Sequence, residues 1–159
     1  MKENNGHIRP AAEADASRIA EIIITNYREN FYPFFRNDEY YYGELNVVKM
    51  ASGYHAGSEY LKNTYVYDDG VVKGIVRVNG KEIEKLFVEP RFQCAHIGAK
   101  LLSHALNVLG ADRLWVLEYN RRGIAFYERN GFVLTGERVL EDDWVPLLKM
   151  EYTGKAAVD

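Results

Sequence analysis

The sequence predicts an α/β fold built on a mixed, mostly antiparallel sheet with helices on both faces, in the order βααβββαβαββ. Three observations carry that prediction. Residues 11–30 and 97–109 place apolar side chains at helical spacing. Asp69-Gly70 and Asn79-Gly80 separate β-favouring runs, the signal of an antiparallel meander. Residues 81–110, KEIEKLFVEPRFQCAHIGAKLLSHALNVLG, then read as strand, turn and helix, with a helix start shaped to hold an anion.

A short strand at residues 7–9 stops at Pro10. The helix of residues 11–30 buries Ala16, Ile19, Ala20, Ile23, Ile24 and Tyr27, with Asp15 or Ser17 as its cap. Phe31-Tyr32-Pro33-Phe34-Phe35 ends it, because proline restricts the residue before it. A second helical region covers residues 38–50, and a helical turn sits at 58–61. Residues 64–67, 71–78 and 83–88 form the meander, closed by Pro90. From Ile97, the side chains of Leu101, Leu102, Ala105, Leu106 and Leu109 share one helix face. Gly98 and Ala99 in its first turn let a ligand reach unpaired N–H groups with the helix dipole behind them, which suits a pyrophosphate. Residues 113–119 are the next strand, and Asn120 caps a short helix at 123–130 that Gly131 ends in left-handed backbone. Residues 132–135 and 145–152 are the last strands, joined across the solvated turn Glu141-Asp142-Asp143.

With 159 residues, 47% hydrophobic and 27% charged, the chain reads as one globular domain over residues 1–159, its core about 7–152. A net charge of −3 without a basic run argues against nucleic acid as a partner. MKENNGHIRP lacks the apolar stretch of a signal peptide, and no segment approaches the roughly 20 apolar residues of a membrane span, so no membrane partner is expected. The single cysteine, Cys94, forms no intramolecular disulfide and fits a reducing, cytoplasmic compartment. His7, His55 and His104 have no metal-ligand spacing and are expected at the surface; no metal is expected.

Two stretches resemble the GNAT superfamily of acyl-CoA N-acyltransferases. LFVEPRFQCAHIGAKLL, residues 86–102, is similar to the family's strand-four to helix-three segment with its Q/R-x-x-G-x-G/A pyrophosphate loop. YNRRGIAFYERNGF, residues 119–132, is similar to its later motif of Asn, Ala, Phe-Tyr and Gly-Phe. Together, in this order of elements, they form a specific signal. The chain departs from the family around Cys94 and His96, where glycines are usual. A left-handed backbone at such a site costs a non-glycine residue about 1–2 kcal/mol, and histidine tolerates it better than a β-branched residue.

The resemblance implies acetyl-CoA as acyl donor and an amine as acceptor. The backbone of Leu86, Phe87 and Val88 would pair with the pantetheine arm like an added strand, and an N–H there would polarise the thioester carbonyl. Gln93, Cys94, Ala95, His96, Ile97, Gly98, Ala99 and Lys100 would cradle the pyrophosphate, with Arg91 or Lys100 adding charge. Asn120 would bond the pantetheine amide, or serve only as a cap. Tyr127 stands at the family's general acid, the donor to the departing thiolate; packing beside Phe126 is its plainer role. Glu82, eleven residues before Gln93, has the spacing of the family's base. A base is needed because a lysine-like amine has a free pKa of about 10.4. The alternative for Glu82 is a solvated surface charge, which is also the favoured reading of Glu84, on the same face of an unbulged strand. Cys94 is read as a chemical bystander.

FYPFFRNDEYYYGE, residues 31–44, with Tyr54 and Tyr60, would shape the acceptor side. Phe31, Phe34 and Phe35 are expected to pack a helix onto the sheet, and at least one of Tyr40, Tyr41 and Tyr42 to line a cleft or partner surface. Two readings stand. One is an N-acetyltransferase that moves an acetyl group from acetyl-CoA directly to a primary amine of a small molecule or peptide. The other is a non-catalytic acyl-CoA-binding or protein-interaction module on the same fold. A homodimer is compatible with the paired end strands.

Overall fold

The computed structural model describes residues 6–154 and places seven strands in one sheet, in the order β1-β2-β3-β4-β5-β7-β6. The strands are β1 Ile8–Pro10, β2 Thr64–Asp68, β3 Val72–Asn79, β4 Glu82–Val88, β5 Arg113–Leu117, β6 Phe132–Glu141 and β7 Val145–Tyr152. The helices are α1 Ala16–Asn30, α2 Tyr32–Phe35, α3 Val47–Ala51, α4 Glu59–Lys62, α5 Ile97–Asn107 and α6 Arg121–Arg129. All neighbouring strands run antiparallel except β4 and β5, which are parallel. The mixed, mostly antiparallel α/β fold is therefore the one the sequence predicts. Readings that rest on residues 1–5 or 155–159 lie outside the described residues. Among the described residues, no helix is long and apolar enough to cross a membrane.

The two faces follow from strand alternation. Ile75 on β3 packs with Ile19, Ile22 and Ile23 of α1, while its neighbour Val76 packs with Leu101, Leu102 and Ala105 of α5. Each such side chain, fully buried, contributes about 1.5–3 kcal/mol. Gly74 on β3 sets how closely α5 approaches the sheet. A Cβ there would lie 2.9 Å from Leu101 Cδ1 and 3.2 Å from Ile97 Cγ2.

Several boundaries differ from the sequence expectation, each for a physical reason. Asp15 occupies the cap position of α1 but makes no cap hydrogen bond. Its carboxylate instead accepts from Ala12 N at 2.7 Å and from two nitrogens of Arg9 at 2.8 and 3.0 Å, and Arg9 also bonds Asp68 on β2. The helical region of residues 38–50 is interrupted. Tyr40–Glu44 form a π-helical turn, the chain extends at Leu45, and Asn46 caps α3 by accepting from Lys49 N at 2.8 Å. Strand β6 runs to Glu141, far beyond Thr135, because β7 pairs with it along most of its length around an irregularity between Leu134 and Arg138. Its exposed residues carry no alternating apolar signal. His104 is half-buried rather than on the surface, its ring 4.9 Å from that of Tyr65 and its Nε2 sealed without a partner.

The hydrogen bonds from Arg9 hold the Asp15 carboxyl below the usual carboxylate range. A depressed folded-state pKa contributes stability above the unfolded value near ~4, which is lost as pH falls through the folded value. Asp15→Ala is expected to lower unfolding free energy by about 1–2 kcal/mol at neutral pH, read by urea denaturation. That deficit should shrink only below pH ~4; a deficit constant down to strong acid would remove the ion pair from the account.

Candidate active site

The site begins with a gap in the sheet. β4 and β5 pair only at Glu82↔Arg113 and Ile83↔Leu114, although both strands continue, β4 to Val88 and β5 to Leu117. Beyond Ile83 the strands part, and a cleft of about 860 Å³ opens between them.

The edge that β4 turns to this gap can be read from its other neighbour. Glu89 N donates to Lys73 O at 2.8 Å, so Glu89 faces β3. Antiparallel ladders alternate, which turns the N–H and C=O groups of Val88 and Leu86 into the gap and those of Phe87 toward β3. The Val88 carbonyl is already engaged: Asn26 Nδ2 and Gln93 Nε2 each donate to it at 3.1 Å. Asn26, buried in α1, also donates to Ile22 O at 2.8 Å. These side chains occupy one acceptor and leave the Leu86 pair and the Val88 N–H facing the cleft. Phe87 contributes in another way, its ring edge-on to Tyr27 at 5.6 Å.

At one end of the gap, the loop after β4 turns into α5. Both Cys94 (φ 71°) and His96 (φ 62°) are left-handed, the two positions where the sequence lacks the family's glycines. His96 is the helix cap and makes no side-chain cap bond. The first helical hydrogen bond runs from Lys100 N to His96 O at 3.1 Å. The N–H groups of Ile97, Gly98 and Ala99 therefore have no partner within the helix. Gly98 stands 3.6 Å from the Phe126 ring, measured from the Cβ it lacks, and lines the cleft with Gln93, Cys94, His96 and Ala99. Ala95, Ile97 and Lys100 belong to the same turn but do not line the cleft. Arg122 at the start of α6 donates to Cys94 Sγ at 3.5 Å and brings a cation to this end of the cleft.

Across the gap lies α6. Asn120 Oδ1 accepts from Gly123 N at 2.9 Å, so its carbonyl is committed to the cap while the residue still lines the cleft. Tyr127, half-buried and facing the cleft, packs between Phe126 at 5.2 Å and Phe132 at 5.6 Å. Burial pushes its phenol above the ordinary value near 10. It stays protonated at neutral pH and donates to no described residue.

The carboxylates of β4 separate into two kinds. The strand is bulged: Val78 pairs with Ile83 and Arg77 with Lys85, leaving Glu84 as the extra residue. The unbulged strand expected from the sequence is thereby corrected. Glu84 accepts from Arg77 Nε at 3.1 Å, and Arg77 in turn donates to Tyr54 OH at 2.7 Å with its guanidinium 3.9 Å from the Tyr60 ring centroid. Glu82 lines the cleft with no ion-pair partner among the described residues.

On the α1 side, the aromatic wall consists of Tyr27, Phe31 and Trp115. None of Tyr40, Tyr41 and Tyr42 lines the cleft: Tyr41 is buried and Tyr42 exposed. Phe34 is exposed as well and stacks on Tyr119 at 5.1 Å rather than on the sheet. Asn26, Asn30, Arg77 and Trp115 line the cleft and were missed by sequence reasoning, whereas Tyr54 and Tyr60, expected on the acceptor side, do not line it: Tyr54 is buried against Arg77. Asn26 sits on the apolar stripe of a helix, and that buried asparagine was the one available signal.

Residues 61–134 match the family model described as "Acetyltransferase (GNAT) domain", a segment that holds both motif stretches in full. The peptidyl-lysine N-acetyltransferases YjaB of Escherichia coli strain K12 and of Salmonella typhimurium strain LT2 are each 30% identical, over 83 and 89 residues. Those matches cover 51% and 55% of this chain, and only 56% and 61% of the two relatives. The apo solution structure of YjaB from Escherichia coli has a TM-score of 0.73 at 23% identity, covering 93% of this chain and 97% of that one. The PaiA N-acetyltransferase of Thermoplasma acidophilum, in complex with coenzyme A, has a TM-score of 0.65 at 20% identity, covering 91% and 98%. These structures share the fold of this chain.

The left-handed turn yields a stability prediction. His96→Val should cost about 1–2 kcal/mol more than His96→Gly in chemical denaturation, since a β-branched residue resists that backbone most. Equal stabilities would mean that the turn relaxes out of the left-handed region.

Proposed function

We propose that this chain, which carries a GNAT domain, is an N-acetyltransferase that passes the acetyl group of acetyl-CoA directly to a primary amine. The observation that carries the proposal is the two-pair contact between β4 and β5, which leaves hydrogen-bonding backbone facing a cleft. The Leu86 groups and the Val88 N–H take up the pantetheine amides as a strand would, and an N–H of this edge polarises the thioester carbonyl. The N–H groups of Gly98 and Ala99 in the first turn of α5 receive the pyrophosphate, with the left-handed Cys94 and His96 shaping the turn and Arg122 adding charge. The free amide nitrogen of Asn120 donates to the pantetheine arm while its oxygen holds the cap.

Glu82 acts as the base because Glu84 is held by Arg77. It takes the amine proton, the nitrogen attacks the thioester carbon, and the carbon–sulfur bond breaks as the tetrahedral intermediate collapses. Tyr127 gives its proton to the departing thiolate. The named activity of the YjaB relatives supports a peptide lysine as one acceptor, and small amines fit the same chemistry. A cytoplasmic setting suits the exposed free thiol of Cys94. The exposed edge strand β6 is where a second copy would add.

The test is free-thiol release from acetyl-CoA across an amine panel. Tyr127→Phe should lower kcat about a hundredfold or more while acetyl-CoA affinity, by calorimetry, holds; unchanged kcat would remove the acid role. Glu82→Gln should be most impaired near neutral pH and recover as pH approaches the amine's own pKa of about 10. A deficit independent of pH would contradict a base at that position. Acetyl-CoA binding without thiol release for any amine would favour the non-catalytic module.

A further inference from the structure

We infer that Lys85 and Tyr27 form a carboxylate-binding subsite beside the acetyl-transfer point, so that the acceptor carries a carboxylate near its reacting amine. The inference rests on the acetyl-transfer reading above and names the acceptor class for the same cleft.

Strand β4 distributes its charges unevenly. The bulge at Glu84 puts Lys85 opposite Arg77 in the register. Arg77 is neutralised by Glu84 at 3.1 Å and spends another donor on Tyr54. Lys85 has no carboxylate partner among the described residues. Its ammonium sits at the hydroxyl end of Tyr27, 5.0 Å from the ring centroid, and donates to the Tyr27 hydroxyl. Both residues line the cleft.

That leaves hydrogen-bond donors in excess at Lys85 and Tyr27. An ammonium has three N–H groups, and the tyrosine takes one. Because the Tyr27 oxygen accepts from Lys85, its own proton is free to be given elsewhere. Asn30, three residues on along α1 and also lining the cleft, presents an amide from the same helix face. A part-buried cation with only a neutral partner is incompletely compensated, and an anion held by two or three charge-assisted donors completes it. Glu82, three residues before Lys85 and without an ion-pair partner among the described residues, supplies the opposite charge. The floor of the cleft thus carries a separated negative and positive charge, complementary to an acceptor with an amine at one end and a carboxylate at the other.

A free amino acid and a peptide lysine next to Asp or Glu both present this chemistry, and the test separates them. Binding is measured first on the full chain, by calorimetry with 3-phenylpropionate and with 3-phenylpropanol. The carboxylate should bind about tenfold more tightly, the scale of one charge-assisted hydrogen bond. That margin should vanish in Lys85→Gln and persist in Lys85→Arg. Equal binding of the two probes, or a margin that survives Lys85→Gln, overturns the proposal.

Thiol release is then compared for L-phenylalanine against phenethylamine, and for blocked Glu-Lys-Ala against blocked Ala-Lys-Ala. Faster turnover of the first member of a pair, lost in Lys85→Gln, supports the subsite and identifies its source. If turnover proceeds without either preference, the subsite falls and acetyl transfer stands. If no amine releases thiol, acetyl transfer falls, and the binding margin alone decides the subsite.

Discussion

The structure depends on how little β4 and β5 touch. Two residue pairs join them, and then parallel strands that should continue as a ladder separate. Unpaired backbone in a sheet is costly unless something satisfies it, because each N–H and C=O is an obligatory hydrogen-bonding group. This chain settles part of that demand itself, with Asn26 and Gln93 both directed at the Val88 carbonyl. The remainder faces the cleft of about 860 Å³. Every other feature of the site is arranged along that opening: an anion-ready helix start at one side, a protonated phenol across it, and the Glu82 carboxylate where the strands diverge.

The parting of the strands is held from both faces. On one, α1 packs Ile19, Ile22 and Ile23 against β2 and β3 and brings Asn26 to the gap. On the other, Gly74 lets α5 sit close on the sheet, which places the free N–H groups of its first turn at the cleft. The cost appears in the turn between them, where Cys94 and His96 adopt a backbone that suits glycine. Left-handed strain of this kind is stored where surrounding structure fixes the chain, and here it aims backbone donors.

Much of this was legible in the sequence. Alternation on β3 and the stripes of α1 and α5 specify which residues face which layer, and Asp-Gly and Asn-Gly mark the meander turns. The loop after β4 could be placed from Gln93, Gly98 and Ala99, and the left-handed demand at His96 from the glycine expected there. The bulge at Glu84 was not legible, because a single extra residue leaves no mark in an alternating charged strand. Yet it decides which glutamate Arg77 holds and where Lys85 stands. The aromatic wall was likewise obscured: twelve tyrosines and seven phenylalanines look alike in a one-dimensional pattern. Only packing shows that Tyr27 and Phe31 reach the cleft while Tyr41 is buried and Phe34 stacks outside on Tyr119.

The central claim is that the inner edge of β4 receives coenzyme A as an added strand. Amide hydrogen exchange, resolved by NMR with and without coenzyme A, tests it at single residues. The account predicts that the Leu86 and Val88 amides exchange quickly alone and become protected on binding, while the Phe87 amide, already paired to β3, is slow in both states. Protection confined to the turn at residues 93–99, with Leu86 and Val88 unchanged, would contradict it.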